Sequence, residues 1–436
     1  MSALHCTALQ STPRSPIGSF EDLEAYLDPA GELRSVDGLQ PFPALERAIQ
    51  DFTTHFGYDF FAILLPAIME WAATVPPSYP LEGLSFTREP EVSPCGRYVS
   101  TTCEYSSEVA RLILANMFLL NTPKTVEFAG RLTLTRLHQA FSHREKGGVG
   151  PARILSLLAY FHIQHQGLDS PSRVVTIDRR EWVAELDSND DWRTSEASLV
   201  PVKLSVSSME SSSARRFVNF ANEKLHIHRI IPSATQEEVL FTCAPEAYLA
   251  IGLCTPMEPN QVILIRNVQR CISYTGYSNT FRFADILTPL PPPFDILSMD
   301  ATTSDHFTEE MVHRDILKAS LAFVEPMSSP VSTGHWGCGV FGGNKTHKFI
   351  QQWIAASLSQ GVTRLDYSVF GDAPLVDSWT QVMQAIRERE WTVADVSRNL
   401  LLGYAKLNQP RRKTYEQFVA EVLKLVPASD GYCSIQ

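Results

Sequence analysis

The chain has 436 residues, 44% of them hydrophobic and 19% charged, enough for a large core and for two domains. Its formal net charge of -11 argues against broad electrostatic binding of nucleic acid or an anionic membrane, so an anionic ligand would need a local, backbone-built pocket. Eight cysteines without a CxxC pair fit reduced thiols in the cytosol or nucleus.

Taken in chain order, the first 35 or so residues are rich in Ser, Pro and Gly and are expected to lack stable structure. They show no basic start followed by a long apolar run, so no secretory signal is expected. From about 40 to 165, apolar residues recur three and four apart in FPALERAIQDFTTHF, SSEVARLILANMFLLN, LTRLHQAFSH and PARILSLLAYFHIQHQ, which predicts helices. Ser106-Ser107-Glu108 reads as a helix entrance, and SYPLEGLSFTREPEVSPCGR as an interrupting loop. FFAILLPAIMEWAA, at 60–73, contains Pro66 and Glu70 and is too short to span a membrane, so it reads as a buried helix. After about 172, RVVTIDRR, VPVKLSVS, RFVNFA, EEVLF and NQVILIRNV are short runs rich in Val and Ile, and strands are expected. TPLPPPFD is a rigid loop and HRDILKASLAFVE a helix. PMSSPVSTGHW reads as a loop that runs into glycines, followed by a helix (KTHKFIQQWIAASLSQ), a strand (TRLDYSVFG) and a helix (APLVDSWTQVMQAIRER). Strand and helix in alternation mean α/β layers around a central sheet. The expected domains are 1–35 without structure, 36–170 helical and 171–436 α/β.

Two stretches could carry chemistry. In Gly337-Cys338-Gly339-Val340-Phe341-Gly342-Gly343, glycines free the backbone to approach a ligand, and a following helix N-terminus suits phosphate. GCGVFG satisfies GxGxxG, but a dinucleotide fingerprint should follow a strand directly, and the residues before it read as loop. In Gln236-Glu237-Glu238, a carboxylate beside an apolar strand has its pKa raised by desolvation and by its charged neighbour, which suits a general acid that later acts as base. A strand would send only one of the two into a pocket. His226-x-His228 has no third ligand at helpful spacing, so no metal is expected. His162 and His165 fit helix packing, and no GxSxG supports a serine nucleophile.

FAN at 220–222, QEE at 236–238, YTGY at 274–277 and TGHWGCGVFGGN at 333–344 occur in this order. Together they resemble the signature blocks of the poly(ADP-ribose) glycohydrolase family, and the likeness extends over about residues 40 to 410. The resemblance implies a macrodomain-like α/β/α mixed sheet with an N-terminal helical accessory domain. It also implies a glycosidase acting on ribose–ribose O-glycosidic bonds of poly(ADP-ribose). By similarity, Glu238 is the general acid and base and Glu237 orients the substrate ribose, with Asn222 beside it. Gly337, Cys338, Gly339, Val340 and Phe341 form the diphosphate loop. Tyr277 and Phe370 flank adenine, with Gln236, Tyr274 and Glu210 at that pocket and His335 near the nucleotide. No cofactor is implied. The implied partners are poly(ADP-ribose), ADP-ribose and ADP-ribosylated proteins, with no direct nucleic acid or membrane contact; a monomer in the nucleus or cytoplasm, serving the DNA damage response, is expected.

The sequence departs from the family pattern in three places. The residues between FAN and QEE are EKLHIHRIIPSAT, and His226-Ile227-His228 stands where the family has Gly-Gly-Gly. A β-branched Ile227 fits positive-φ backbone worst. Either His226, His228 or Arg229 supplies side-chain contacts to phosphate, or the chain is a catalytically impaired ADP-ribose-binding module. His335 replaces the usual Asn, and Asn219 replaces the usual Asp before FAN.

Overall fold

The computed structural model describes residues 16–28, 42–74, 84, 86–87, 91–92, 97–121, 148–183, 191–225, 234–407 and 414–425. Within the stretch expected to lack structure, Ser19 starts helix α1 (Phe20–Leu27), its hydroxyl accepting from the Asp22 amide at 3.2 Å. Leu23 and Leu27 give that helix a buried face. Helix α2 (Pro43–Phe56) begins on a proline, which needs no N–H at that position, and stops at Gly57 in the left-handed conformation. A π turn at Phe60–Leu64 leads into α3 (Leu65–Thr74), and Phe60, Leu64, Leu65, Ile68 and Ala72 form its buried stripe. Among the described residues no single helix is long and apolar enough to cross a membrane; α2 and the helix after it bend by 93°. Helix α4 (Ser107–Phe118) starts as the sequence predicts, with the Ser106 hydroxyl accepting from the Val109 amide at 3.1 Å. Helix α5 (Val149–His165) is buried along almost its whole length. LTRLHQAFSH lies outside the described residues.

Among the described residues the sheet has nine strands. In chain order these are β1 (Glu91–Val92), β2 (Tyr98–Ser106), β3 (Val174–Trp182), β4 (Val202–Ser205), β5 (Arg216–Ala221), β6 (Gln261–Val268), then β9 (Phe294–Asp300), β10 (Ser329–Thr333) and β11 (Val362–Ser368). A separate hairpin joins β7 (Ile272–Thr275) to β8 (Arg282–Ile286). The spatial order is β1-β2-β3-β6-β9-β5-β10-β11-β4. From β1 to β9 each neighbour is antiparallel, whereas β9, β5, β10, β11 and β4 run parallel. The carboxyl ends of the parallel set therefore share one edge, the side on which open α/β sheets bind ligands.

Helices cover both faces of β5. Arg216 donates to the Phe323 carbonyl at 2.6 Å, at the end of α8 (Glu309–Phe323). Three residues on, and so on the opposite face, Asn219 meets α6 (Gln236–Cys243). Between them lie α7 (Tyr248–Leu253), then α9 (Lys345–Leu358) and α10 (Ala373–Glu388) further along. The mixed α/β reading of the sequence thus holds.

Several elements differ from the sequence expectations. EEVLF is not a strand: Glu238 reaches back to the amide of Thr235 at 2.8 Å and to its hydroxyl, the carboxylate half of a capping box that starts a helix. The two glutamates therefore sit on one helical turn rather than on opposite faces of a strand. The glycine loop does follow a strand directly, because Ser329–Thr333 pairs with both β5 and β11. The stretches at 98–106 and 294–300 are strands too, the first paired with β3 along its full length.

Candidate active site

Gln236 fixes α6 to β5. Its side-chain oxygen accepts from the Phe220 amide at 2.8 Å, and its nitrogen donates to the Val218 carbonyl at 2.9 Å. One glutamine thereby extends the strand's hydrogen bonding into the first turn of the helix. Glu237 and Glu238 are both buried. Asn219 donates to Glu237 Oε1 at 3.1 Å and to Ser298 Oγ on β9 at 3.1 Å. Burial holds the Glu237 carboxyl well above the usual carboxylate range; the neighbouring Glu238 charge adds to this, while Asn219 and the Asn222 backbone N–H oppose it. The Asn222 side chain turns back to accept from the Lys224 amide at 3.2 Å.

The same helix start leads to an aromatic cleft. The Gln236 amide donates to Tyr277 Oη at 3.1 Å, and the Tyr277 ring lies 5.1 Å from that of Phe370. Tyr277 is 37% exposed and Phe370 53% exposed, although Phe370 takes a left-handed backbone (φ 44) unusual for a bulky residue. Tyr274 Oη donates to Glu210 Oε2 at 3.2 Å, and burial raises its phenol pKa. These groups, with Ser208 and Arg270, line a cleft of about 480 Å³.

The glycine loop leaves β10 on the same sheet edge. Gly337 has φ +72, and a Cβ there would lie 2.6 Å from Ala301 Cβ, so only glycine fits. Gly339 faces open space, and Val340 is 98% exposed at the tip. The amides of Trp336, Cys338, Gly342 and Gly343 bond within the loop. Those of Gly337, Gly339, Val340 and Phe341 have no partner among the described residues, and three of these are consecutive, an arrangement that suits an anion. Burial pushes the Cys338 thiol up to about 12, so it is an inert packing group. His335 Nε2 donates to the Val369 carbonyl at 3.2 Å, and burial, with Lys345 adding to it, brings its pKa down to about 4. The one donor of this neutral ring is therefore occupied by the chain itself rather than turned to a ligand.

The structure thus places Asn222 at the end of β5 and Gln236, Glu237 and Glu238 at the start of α6, with Tyr277 bonded to the Gln236 amide, Phe370 beside the Tyr277 ring, and the 337–341 loop on the next parallel strand. His226, His228 and Arg229 lie outside the described residues. Beneath the loop is a group that local sequence patterns do not reveal: the buried Lys348 ammonium pairs with Asp315 and sits 5.0 Å from the Trp336 ring centroid. Only an i, i+3 or i, i+4 pattern is legible around Lys348, and its partner is thirty-three positions away.

A mixed sheet with helices on both faces, a glycine loop at the carboxyl edge and an aromatic cleft beside it defines a macrodomain-type α/β protein. Residues 189–377 match the family model described as poly(ADP-ribose) glycohydrolase, macro domain fold. It is 28% identical over 268 residues to poly(ADP-ribose) glycohydrolase 2 of Caenorhabditis elegans, covering 55% of this chain and 54% of the relative. The match to poly(ADP-ribose) glycohydrolase 1 of the same worm is 26% identical and covers 47% and 30%. That to poly(ADP-ribose) glycohydrolase 1 of Arabidopsis thaliana is 25% identical and covers 54% and 57%. The chain thus spans between 30% and 57% of the length of these relatives.

Proposed function

We propose that the chain hydrolyses the ribose–ribose O-glycosidic bonds of poly(ADP-ribose), releasing ADP-ribose. The observation that carries this reading is the buried Glu237–Glu238 pair at a helix start, on the sheet edge that also bears the glycine loop. Adenine would stack in the cleft between Tyr277 and Phe370, with Glu210 facing its edge. The diphosphate would lie along the free amides of 339–341. An acetal needs a proton at the leaving oxygen and stabilisation of a cationic sugar. Burial, with the neighbouring Glu238 charge adding to it, holds the Glu237 carboxyl toward its protonated form. Glu238 would pass a proton to the leaving ribose oxygen as the C1–O bond breaks. Glu237 would hold the ribose hydroxyls, and the Glu238 carboxylate left by the proton transfer would offset the oxocarbenium charge. Water then adds to C1, and its proton returns to Glu238, so the site is regenerated. The carboxylate separations used for other glycosidases do not apply to adjacent residues sharing one helical turn.

A second reading is a binding module without turnover. His226-Ile227-His228 at the family's glycine positions favours it, as does the hold that Thr235 has on Glu238 Oε2. Turnover of poly(ADP-ribose) by the purified chain separates the two, with Glu238→Gln as control. The hydrolase reading expects loss of at least ~100-fold in rate in the control, as removal of a general acid–base group does. Binding of ADP-ribose with no wild-type turnover would overturn it in favour of the module. Equal turnover in Glu238→Gln would remove the assigned role. The partners proposed are ADP-ribosylated proteins. For the undescribed segment, Arg229→Ala weakens ADP-ribose binding if side chains stand in for the glycines, and leaves it unchanged if they do not.

A further inference from the structure

The 337–341 stretch needs a fixed shape to present its amides, yet Gly339 and Val340 touch little and cannot supply it. At one end, Gly337 sits against Ala301 and Lys348. The other end is held by a residue outside every motif above. His306 lies just past β9, and its Nε2 is 2.8 Å from the Phe341 carbonyl. A carbonyl can only accept, so Nε2 carries the proton. The Nδ1 atom is buried without a partner among the described residues, and a bare lone pair there costs less than an unpaired N–H. Burial first, and the nearby Lys348 second, lower the His306 pKa, which keeps the ring in this neutral form. Phe341 itself packs partly against the core, so its carbonyl bond orients the amides immediately before it.

We propose that His306 is a positioning residue for the glycine loop: by donating to the Phe341 carbonyl it holds the 339–341 amides toward the diphosphate of an ADP-ribose ligand. This rests on the ligand class proposed above but not on turnover.

The test is calorimetric titration of the full chain with ADP-ribose and, separately, with adenosine. Glutamine places a donor nitrogen as far along the side chain as Nε2, whereas asparagine places one where Nδ1 lies. His306→Ala is expected to weaken ADP-ribose binding about five- to tenfold, the worth of one neutral hydrogen bond. Adenosine binding should stay within about twofold, since the aromatic cleft is untouched. His306→Gln should recover most of the loss and His306→Asn should not. If His306→Ala does not fold, the Gln and Asn pair still decides. Equal weakening of adenosine and ADP-ribose, an unchanged His306→Ala, or recovery by Asn as good as by Gln would each overturn the proposal. A wild type that binds no ADP-ribose overturns both this proposal and the function proposed above. The expected binding pattern without polymer hydrolysis sustains His306 and rejects turnover.

Discussion

Two glycines of one loop should respond in opposite ways to the same added methyl group. Gly337→Ala forces a left-handed backbone on alanine and drives its Cβ to 2.6 Å from that of Ala301. The first effect costs about 1–2 kcal/mol and the overpacking about 1–3, so a loss of about 2–5 kcal/mol of folding stability is expected. Gly339 lies outside the left-handed region and an added Cβ there would meet nothing within 4 Å, so Gly339→Ala should leave stability within about 0.5 kcal/mol. Binding reverses the order of interest. If phosphate approaches the 339–341 backbone, a methyl group at 339 removes a charge-assisted hydrogen bond of about 1.5–3 kcal/mol, or about 10- to 150-fold in ADP-ribose affinity. Urea denaturation gives the stabilities and calorimetric titration the affinities. A Gly339→Ala protein that keeps both its stability and its affinity would refute the close backbone approach. A Gly337→Ala protein as stable as wild type would refute the loop geometry.

Other outcomes follow from the same structure. The Glu237 carboxyl is raised above its ordinary value of 4.5, so the folded state holds a proton that the unfolded chain releases, and stability is lost as pH rises from about 4.5 through the folded pKa. Glu237→Gln should therefore flatten urea stability against pH, matching wild type near pH 4 and exceeding it at pH 8, while abolishing turnover; a wild type whose stability rises over that window counts against the buried protonated group. Phe370→Gly should relieve the left-handed strain and leave stability unchanged or higher by up to about 1 kcal/mol, yet weaken adenosine binding by about 1–3 kcal/mol through lost stacking, both read by titration and denaturation. Far from the cleft, Arg173 pairs with Asp169 at 2.6 Å and with the fully buried Glu246 at 2.7 Å; Arg173→Met strands both charges and should cost about 3–5 kcal/mol in urea denaturation with no direct effect on ligand contacts.

Much of this architecture is legible in the sequence, and the failures have identifiable causes. Long helices such as 43–56 and 345–358 declare themselves by apolar spacing. The 236–243 helix misleads because Val239 and Phe241 favour strands, but Thr235-x-x-Glu238 before an apolar run is itself a helix-start signature and could have decided the matter. The strand at 329–333 is hidden by Pro330 and its serines, and the one at 98–106 by a burial pattern without alternation. At the site, the residue types of the motifs point to the right neighbourhood. Which donors are already engaged does not follow from them. That His335 faces Val369, that Asn219 joins Glu237 to Ser298, and that His306 reaches Phe341 all depend on contacts between distant segments.

His335 belongs to the glycine loop, yet it donates to the carbonyl just before Phe370, and its ring faces Tyr367. The two halves of the proposed nucleotide site thus hang from one imidazole. The His335 contact sets where the two halves lie relative to one another, whether or not either is occupied. A change at this one ring would be felt at both ends of the nucleotide at once.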